Sequence, residues 1–332
     1  MTTANDDLEP IEPTVAFDLF IDHKESACAE ATVRNYRYRL QYFLEWCEDN
    51  GIDNLNDLTG RDLQQFHMWR KKSKDLAETT IRNHLCSLRV FLKWAASIEA
   101  VPPNLYDKLI IPQVGHGDRH REEMLDSDTA QELLDYLRKY HFASTEHVVI
   151  ALLWETGMRI GAAMSIDLQD VDFEDERIDL QHRPEEGTPL KNGQGGERPV
   201  AITPELTELL TEYVENRRRD VTDDNGRRPL LTTSEGRMHR STIREIVYRV
   251  TAPCFRDLDC PDCNKGTAKT CPEAVYPHAI RRGSITHFLS EDVPVEILSD
   301  RMNVSRDVLD EHYDQRSEEV KLEQRRGYLD KV

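Results

Sequence analysis

Residues 146–182 read EHVVIALLWETGMRIGAAMSIDLQDVDFEDERIDLQH, and the order of patterns in this stretch decides the fold class. Residues 146–156 form an apolar helix that Gly157 stops, and a short helix carrying Met158, Arg159 and Ile160 follows. Residues 177–182 (RIDLQH) then alternate like a strand, as do 198–202 (RPVAI), and the loop between them is glycine-rich near Asn192 to Gly196. Helical patterns resume at 204–219, 240–251, 277–290, 294–302 and 305–313. The pattern predicts a mainly α fold with a small antiparallel β-sheet inserted, and no internal repeat.

Towards the N-terminus, residues 13–98 also read as helices. In 33–47 the apolar positions Val33, Tyr36, Leu40, Phe43, Leu44 and Cys47 keep helical spacing, with Arg34, Arg37 and Gln41 on another face. In 79–96 Ile81, Leu85, Leu88, Leu92 and Ala95 make one stripe, and Arg82, Arg89 and Lys93 a different one. Arg70-Lys71-Lys72-Ser73-Lys74 lies between the two helices. Any one of these cations alone is ordinary solvated helix surface. Two basic faces and a basic loop together mark Arg34, Arg37, Arg70, Lys71, Lys72, Arg82, Arg89 and Lys93 as candidates for a DNA clamp. Residues 101–121 hold three prolines and two glycines and read as a linker. The expected division is a disordered lead-in over 1–12, a helical domain over 13–105, a linker over 106–124 and a second domain over 125–332, with Ser127 as the cap of its first helix.

The length of 332 residues suits two domains. No apolar run is long enough to cross a bilayer, and the start, MTTANDDLEP, carries no basic-then-apolar leader, so the expected location is the cytoplasm. The net charge of −19 argues at first sight against a nucleic-acid partner. Two features weigh against that objection. The cations are 12 Lys against 31 Arg, a Lys-poor and acid-rich balance that resembles proteins of a high-salt, halophilic cytoplasm. The acid is also unevenly spread: residues 29–98 carry 11 Lys/Arg against nine Asp/Glu, whereas 99–332 carry 31 against 46.

Phosphodiester cleavage without a metal needs a nucleophile, fixed positive charge on the phosphate oxygens, and a proton for the leaving oxygen. Arginine suits the second task because its planar fork pairs with two oxygens and stays charged. Glu155-Thr156-Gly157-Met158-Arg159-Ile160, followed by Met164-Ser165-Ile166 and Asp170-Val171-Asp172, resembles the first arginine box of the tyrosine recombinases, the phage integrase family. His278-Ala279-Ile280-Arg281, followed by Thr286-His287-Phe288-Leu289, resembles its H-x-x-R box, and Val308 to Tyr313 (VLDEHY) its nucleophile box. Lys191, before a turn that returns through Glu197-Arg198-Pro199-Val200, stands where the family has its β-hairpin lysine. Each motif alone is weak; four in order along about 180 residues, behind a helical first domain like the family's core-binding domain, are specific.

The resemblance implies a helical, SAM-like core-binding domain joined to an α+β catalytic domain, and a site-specific recombinase or integrase acting on double-stranded DNA as a homo-tetramer on two sites. It implies that Tyr313 attacks to form a 3′-phosphotyrosyl link, Arg159 and Arg281 clamp the phosphate, Lys191 protonates the 5′-oxygen, and His278 assists the tyrosine's proton. No cofactor is implied for catalysis. Arg282 and Tyr328 are the neighbours that could be mistaken for Arg281 and Tyr313, His287 reads as packing within its helix, and His312 as incidental. Two departures stand out. Gly161, Ala162 and Ala163 fill the stretch where the family often has an acid, and Val304 stands where it has a His or Trp, with Asn303 beside it as a possible replacement donor. A type IB topoisomerase and a zinc-containing DNA-binding regulator that no longer cuts are the alternative functions.

Seven cysteines are present, and Cys254, Cys260, Cys263 and Cys271 lie within 18 positions before the H-x-x-R box, in a polar insert spanning 253–272. Without a secretion signal a CxxC with two flanking cysteines reads as a structural zinc knuckle rather than disulfides.

Overall fold

The structure, a computed structural model, describes residues 8–72, 76–113, 123–258, 260 and 271–312, with 319, 322, 323 and 326 beyond them. The chain divides into two compact units, 1–122 and 123–332.

The first unit is helical. It holds α1 (Pro13–Glu25), α2 (Glu30–Asp49), α3 (Gly60–Lys72) and α4 (Glu78–Ser97). Pro13 opens α1, where its fixed φ suits a helix start and its missing N–H is no loss. The α4 stripe turns inward as its spacing predicts: Ile81, Leu85, Leu88, Leu92 and Ala95 are all buried. Aromatic rings join the helices edge to face, with Phe20 against Phe91 at 5.3 Å and Phe43 against Phe66 at 5.4 Å. The stretch read as a linker begins inside this unit. Leu105, in the 3-10 turn Leu105–Lys108, and Leu109 are buried in the same core.

The second unit is built round α6. Its described elements are α5 (Ser127–Tyr140), α6 (Thr145–Thr156), α7 (Ile160–Ser165), β1 (Val171–Asp172), β2 (Arg177–Leu180), β3 (Arg198–Ala201), α8 (Pro204–Glu212), β4 (Thr232–Thr233), β5 (Gly236–Arg237), α9 (Arg240–Thr251), α10 (Pro277–Ser290), α11 (Val295–Met302) and α12 (Arg306–His312). The helix α6 is apolar on every side because neighbours cover every side; Val148, Val149, Ile150, Leu152 and Leu153 are at most 1% exposed. Burial of each such side chain contributes about 1.5–3 kcal/mol as an upper estimate. The helix α10 runs close to the segment before α5: a Cβ at Gly283 would lie 1.8 Å from the Leu125 carbonyl oxygen.

β1, β2 and β3 form an antiparallel sheet in that order, with Ile178 paired to Val200 and Leu180 to Arg198. A second hairpin, β4–β5, has two residues per strand, too few for an alternation to register. An ion network fastens the start of the β2–β3 connection. Asp167, 1% exposed, accepts from Arg183 at 3.1 Å and Arg227 at 3.3 Å, and also from Arg237; Asp170 holds Arg183 and Asp223 holds Arg237. The cap of α5 is Asp126, not Ser127: Asp126 Oδ1 accepts the Thr129 amide at 2.9 Å, whereas Ser127 Oγ bonds His287 Nδ1 at 3.2 Å. An Asp carboxylate one position earlier is the stronger acceptor for the first-turn amides. Among the described residues no helix is long and apolar enough to cross a membrane.

Candidate active site

Three arginines from three parts of the second unit converge on one helix end. The last two residues of α11 and its cap offer carbonyls without an intrahelical partner. Arg198 Nε donates to the Arg301 carbonyl at 2.7 Å, Arg281 Nη2 to that of Met302 at 2.9 Å, and Arg159 Nη1 to that of Asn303 at 3.2 Å. A helix C-terminus carries about half a negative charge, so it draws cations together without neutralising any of them. Arg281 Nη1 also donates to the Gly157 carbonyl at 2.5 Å, which ties the end of α6 to the same point.

Local sequence explains each placement. Gly157 caps α6 at φ 57°, a left-handed conformation that glycine adopts without cost, and a Cβ there would sit 2.6 Å from Met302 Sδ. The chain thereby turns to make Arg159 the cap of α7. Pro277 opens α10, so His278 falls in its first turn and Arg281 one turn later on the same face. Asn303 ends α11 at φ 48°, which asparagine tolerates better than any β-branched residue. Arg281 is buried at 1% exposed, and Arg282 is buried beside it.

The electrostatics show the cations acting on one another. Desolvation by its surroundings, followed by the charges of Arg281, Arg282, Arg159 and Lys191, pushes His278 down to about 4, although the residue keeps an exposed edge. The His278 imidazole is therefore neutral at physiological pH, and Lys191 belongs to the same electrostatic cluster. Burial and the charges of Arg281, Arg159 and Arg301 lower Arg198 to about 10. Glu155 is held above the usual carboxylate range by burial, although it accepts the Thr203 amide at 2.7 Å and feels the charge of Arg301.

The structure thus brings Arg159, Arg281, His278 and Lys191 together. Tyr313 and Tyr328 lie outside the described residues. Arg198 and Arg301 belong to the same cluster and were not picked out as site cations by the sequence, whereas Asn303, which joins them, was read there only as a possible replacement donor. A signal existed for Arg198: it shares a strand face with Val200, so alternation alone points it inward. Val304 is buried with Ile285, Leu289 and Leu309, so it packs rather than replacing a polar donor. At the expected acidic position, a Cβ on Gly161 would lie 3.1 Å from the Arg240 guanidinium, so a further cation packs there.

In the first unit, Arg34, Arg37, Lys71, Lys72 and Lys93 are exposed, and Arg82 and Arg89 half-buried. Arg37 pairs with Glu25 at 2.7 Å, and Arg89 donates to the Leu109 carbonyl. Arg70 corrects the reading of the basic loop, because it is buried at 5% exposed. Its guanidinium stacks on Tyr42 at 3.7 Å and donates to His84 Nδ1 at 3.2 Å, which satisfies it inside the helical core. Ser73 and Lys74 lie outside the described residues.

Of the four clustered cysteines, Cys260 and Cys271 stand with their sulfurs 3.6 Å apart, Cys254 is exposed, and Cys263 lies outside the described residues. Among the described residues no three metal-binding side chains converge.

Comparison with known proteins agrees with this geometry. Residues 17–98 match the model of the phage integrase N-terminal SAM-like domain, and residues 123–319 that of the phage integrase family. A probable integrase/recombinase protein of Methanocaldococcus jannaschii is 21% identical over 277 residues, covering 82% of this chain and 76% of the relative. The Tn1549 transposon integrase, solved with a circular intermediate DNA, superposes with a TM-score of 0.70 at 18% identity, over 95% of this chain and 99% of that one. A lambda integrase dimer bound to a COC′ core site gives 0.66 at 12% identity, over 94% and 79%. These two likenesses show the fold, and the family match covers more than half of the chain: the protein belongs to the phage integrase family and is a tyrosine recombinase.

Proposed function

We propose that this chain is a site-specific DNA recombinase that cuts and rejoins double-stranded DNA through a 3′-phosphotyrosyl link on Tyr313. The observation that carries the reading is the convergence of Arg159 and Arg281 on the α11 terminus, beside a neutral His278 and within reach of the Lys191 charge. Arg159 and Arg281 balance the charge that develops on the scissile phosphate. The same positive field favours the phenolate form of Tyr313 as it attacks. The bond from phosphorus to the tyrosine oxygen forms, the bond to the 5′-oxygen breaks, and Lys191 gives its proton to that oxygen. The tyrosine proton passes to His278, whose lowered pKa keeps it able to accept. Attack by a 5′-hydroxyl of the partner strand reverses the step and restores the tyrosine. No metal or high-energy cofactor takes part. Exchange between two duplexes cuts four strands and uses one tyrosine for each, so the working assembly is a homo-tetramer on two sites.

The test is a nicked, site-containing DNA incubated with the protein at high salt, followed by phenol extraction. A phenol-resistant adduct that disappears with Tyr313→Phe supports the reading. No adduct at any salt, or an adduct that survives Tyr313→Phe, breaks it.

A structural zinc held by Cys254, Cys260, Cys263 and Cys271 is proposed beside this site. Two thiolates at about 2.3 Å from one tetrahedral zinc lie about 3.8 Å apart, close to the separation of Cys260 and Cys271, whereas a disulfide closes to about 2.05 Å. Elemental analysis should find one zinc per chain; zinc-free protein with four titratable, accessible thiols in this segment would refute it.

A further inference from the structure

The turn that carries Lys191 is fastened to the arginine cluster by one side chain. Asn303 Nδ2 donates to the Gly195 carbonyl at 2.7 Å, and Asn303 Oδ1 accepts from Asn192 Nδ2 at 2.6 Å. Its main-chain carbonyl holds Arg159. One residue therefore grips the 3-10 turn Gly193–Gly196 and its cap residue Asn192 with the two ends of its amide, and Arg159 with its backbone. A second attachment runs in parallel, since Arg198 Nη1 donates to the Gly196 carbonyl at 2.8 Å while its Nε holds the α11 terminus. Lys191 itself is exposed and stands one residue before Asn192. Exposed lysine side chains lose much rotamer freedom when placed, so the position of the turn decides where the ammonium can reach. The Asn303 Oδ1 and one N–H of its Nδ2 are thus engaged by the turn, a role apart from the donor to the phosphate that the sequence suggested for it.

We propose that Asn303 is a positioning residue that latches the Lys191 turn to the arginine-bearing end of α11 and so sets the proton donor against the scissile phosphate. The proposal rests on Lys191 as the donor. Asn303→Gly is the informative variant, because glycine keeps the left-handed backbone at no cost and deletes both amide bonds. Two nicked substrates separate the roles, one with an ordinary phosphodiester and one with sulfur in place of the bridging 5′-oxygen. On the second the phosphorus–sulfur bond breaks to a thiolate, which departs without a proton.

On the oxygen substrate Asn303→Gly should slow cleavage by roughly 10- to 100-fold, the scale of a displaced catalytic group. On the sulfur substrate it should stay within about threefold of the parent, as should Lys191→Ala, since no general acid is needed there. The double variant should be no slower than Lys191→Ala on either substrate. Equal slowing of both substrates by Asn303→Gly, or no slowing of either, overturns the proposal while Lys191→Ala is rescued by sulfur. Failure of sulfur to rescue Lys191→Ala removes the proton-donor reading itself and the proposal with it.

Discussion

Replacement of Gly157 by alanine tests how strictly α6 must end for the site to form. The residue has φ 57° and ψ 15°, and an added Cβ would lie 2.6 Å from both Met302 Cε and Met302 Sδ and 3.1 Å from Ser284 Oγ. The left-handed backbone costs an alanine about 1–2 kcal/mol. Met302 ends in a flexible thioether, but the residue is 0% exposed and packed among Ile285, Leu289 and Leu298, so its retreat displaces other core atoms. Overpacking of that kind costs about 1–3 kcal/mol, which brings the expected loss to about 2–5 kcal/mol in urea unfolding. The Gly157 carbonyl also holds Arg281, so a shift of the turn moves the phosphate ligand proposed above, and cleavage of a nicked site should fall by roughly 100-fold at saturating DNA. Met302→Ala in the same chain removes the collision but leaves the backbone term, so the double variant should be less destabilised than the sum of the two singles. A loss below about 1 kcal/mol with unchanged cleavage would refute both the left-handed cost and the role of this carbonyl in aiming Arg281.

Asp167→Asn keeps the shape but leaves Arg183, Arg227 and Arg237 short of a buried anion, and urea unfolding should show a loss of about 3–5 kcal/mol; a change under about 1 kcal/mol would mean the network is not holding the hairpin. Burial first, and neighbouring cations after it, push both His84 and His147 down to about 4 from 6.5, so the unfolded chain binds their protons first as pH falls. Each unit should then keep its full stability above pH 6.5 and lose up to about 1.4 kcal/mol per pH unit between there and pH 4, a slope that His84→Gln and His147→Gln should flatten. Lys71→Ala with Lys72→Ala should weaken DNA binding at every sequence and reduce the slope of log affinity against log salt by up to about 2, while Arg70→Ala should lower the melting temperature of the first unit instead; the reverse assignment would return Arg70 to the DNA-facing set.

What was legible in the sequence was what periodicity and local stops encode. The apolar run ending at Gly157, the α4 stripe and the one-turn spacing of His278 and Arg281 each need only a few neighbouring residues to be read. What escaped was set by partners far along the chain. Arg70 belongs to a basic run, and nothing local says that Tyr42 and His84 offer it a ring face and an acceptor inside the core. Arg198 meets its carbonyl 103 positions away, and Asn303 meets Gly195 at a separation of 108. The β4–β5 hairpin failed for another reason, since two-residue strands present no period. The family's third-box position was legible as a departure, but Val304 could not reveal that its neighbour Asn303 turns to the hairpin.

The net charge of −19, like the 31 cations against 46 acids of residues 99–332, speaks against a DNA enzyme only while charges are counted rather than placed. The second unit keeps two kinds of arginine. Arg183, Arg227 and Arg237 are paired with Asp167, Asp170 and Asp223, and their charge is cancelled where it stands. Arg159, Arg198 and Arg281 are held by carbonyls, which orient a guanidinium by hydrogen bonds and a helix dipole yet carry no full charge to cancel it. A carboxylate in the place of those carbonyls would fix the same geometry and quench the field that a phosphate must feel. Burial first, and the charges of the neighbouring cations after it, disfavour the protonated forms of Arg198 and His278 and lower both pKa values. In the proposed reaction an arriving phosphate relieves the repulsion among these cations, and the acidic remainder of the surface leaves this term intact because screening confines distant charges to about a Debye length.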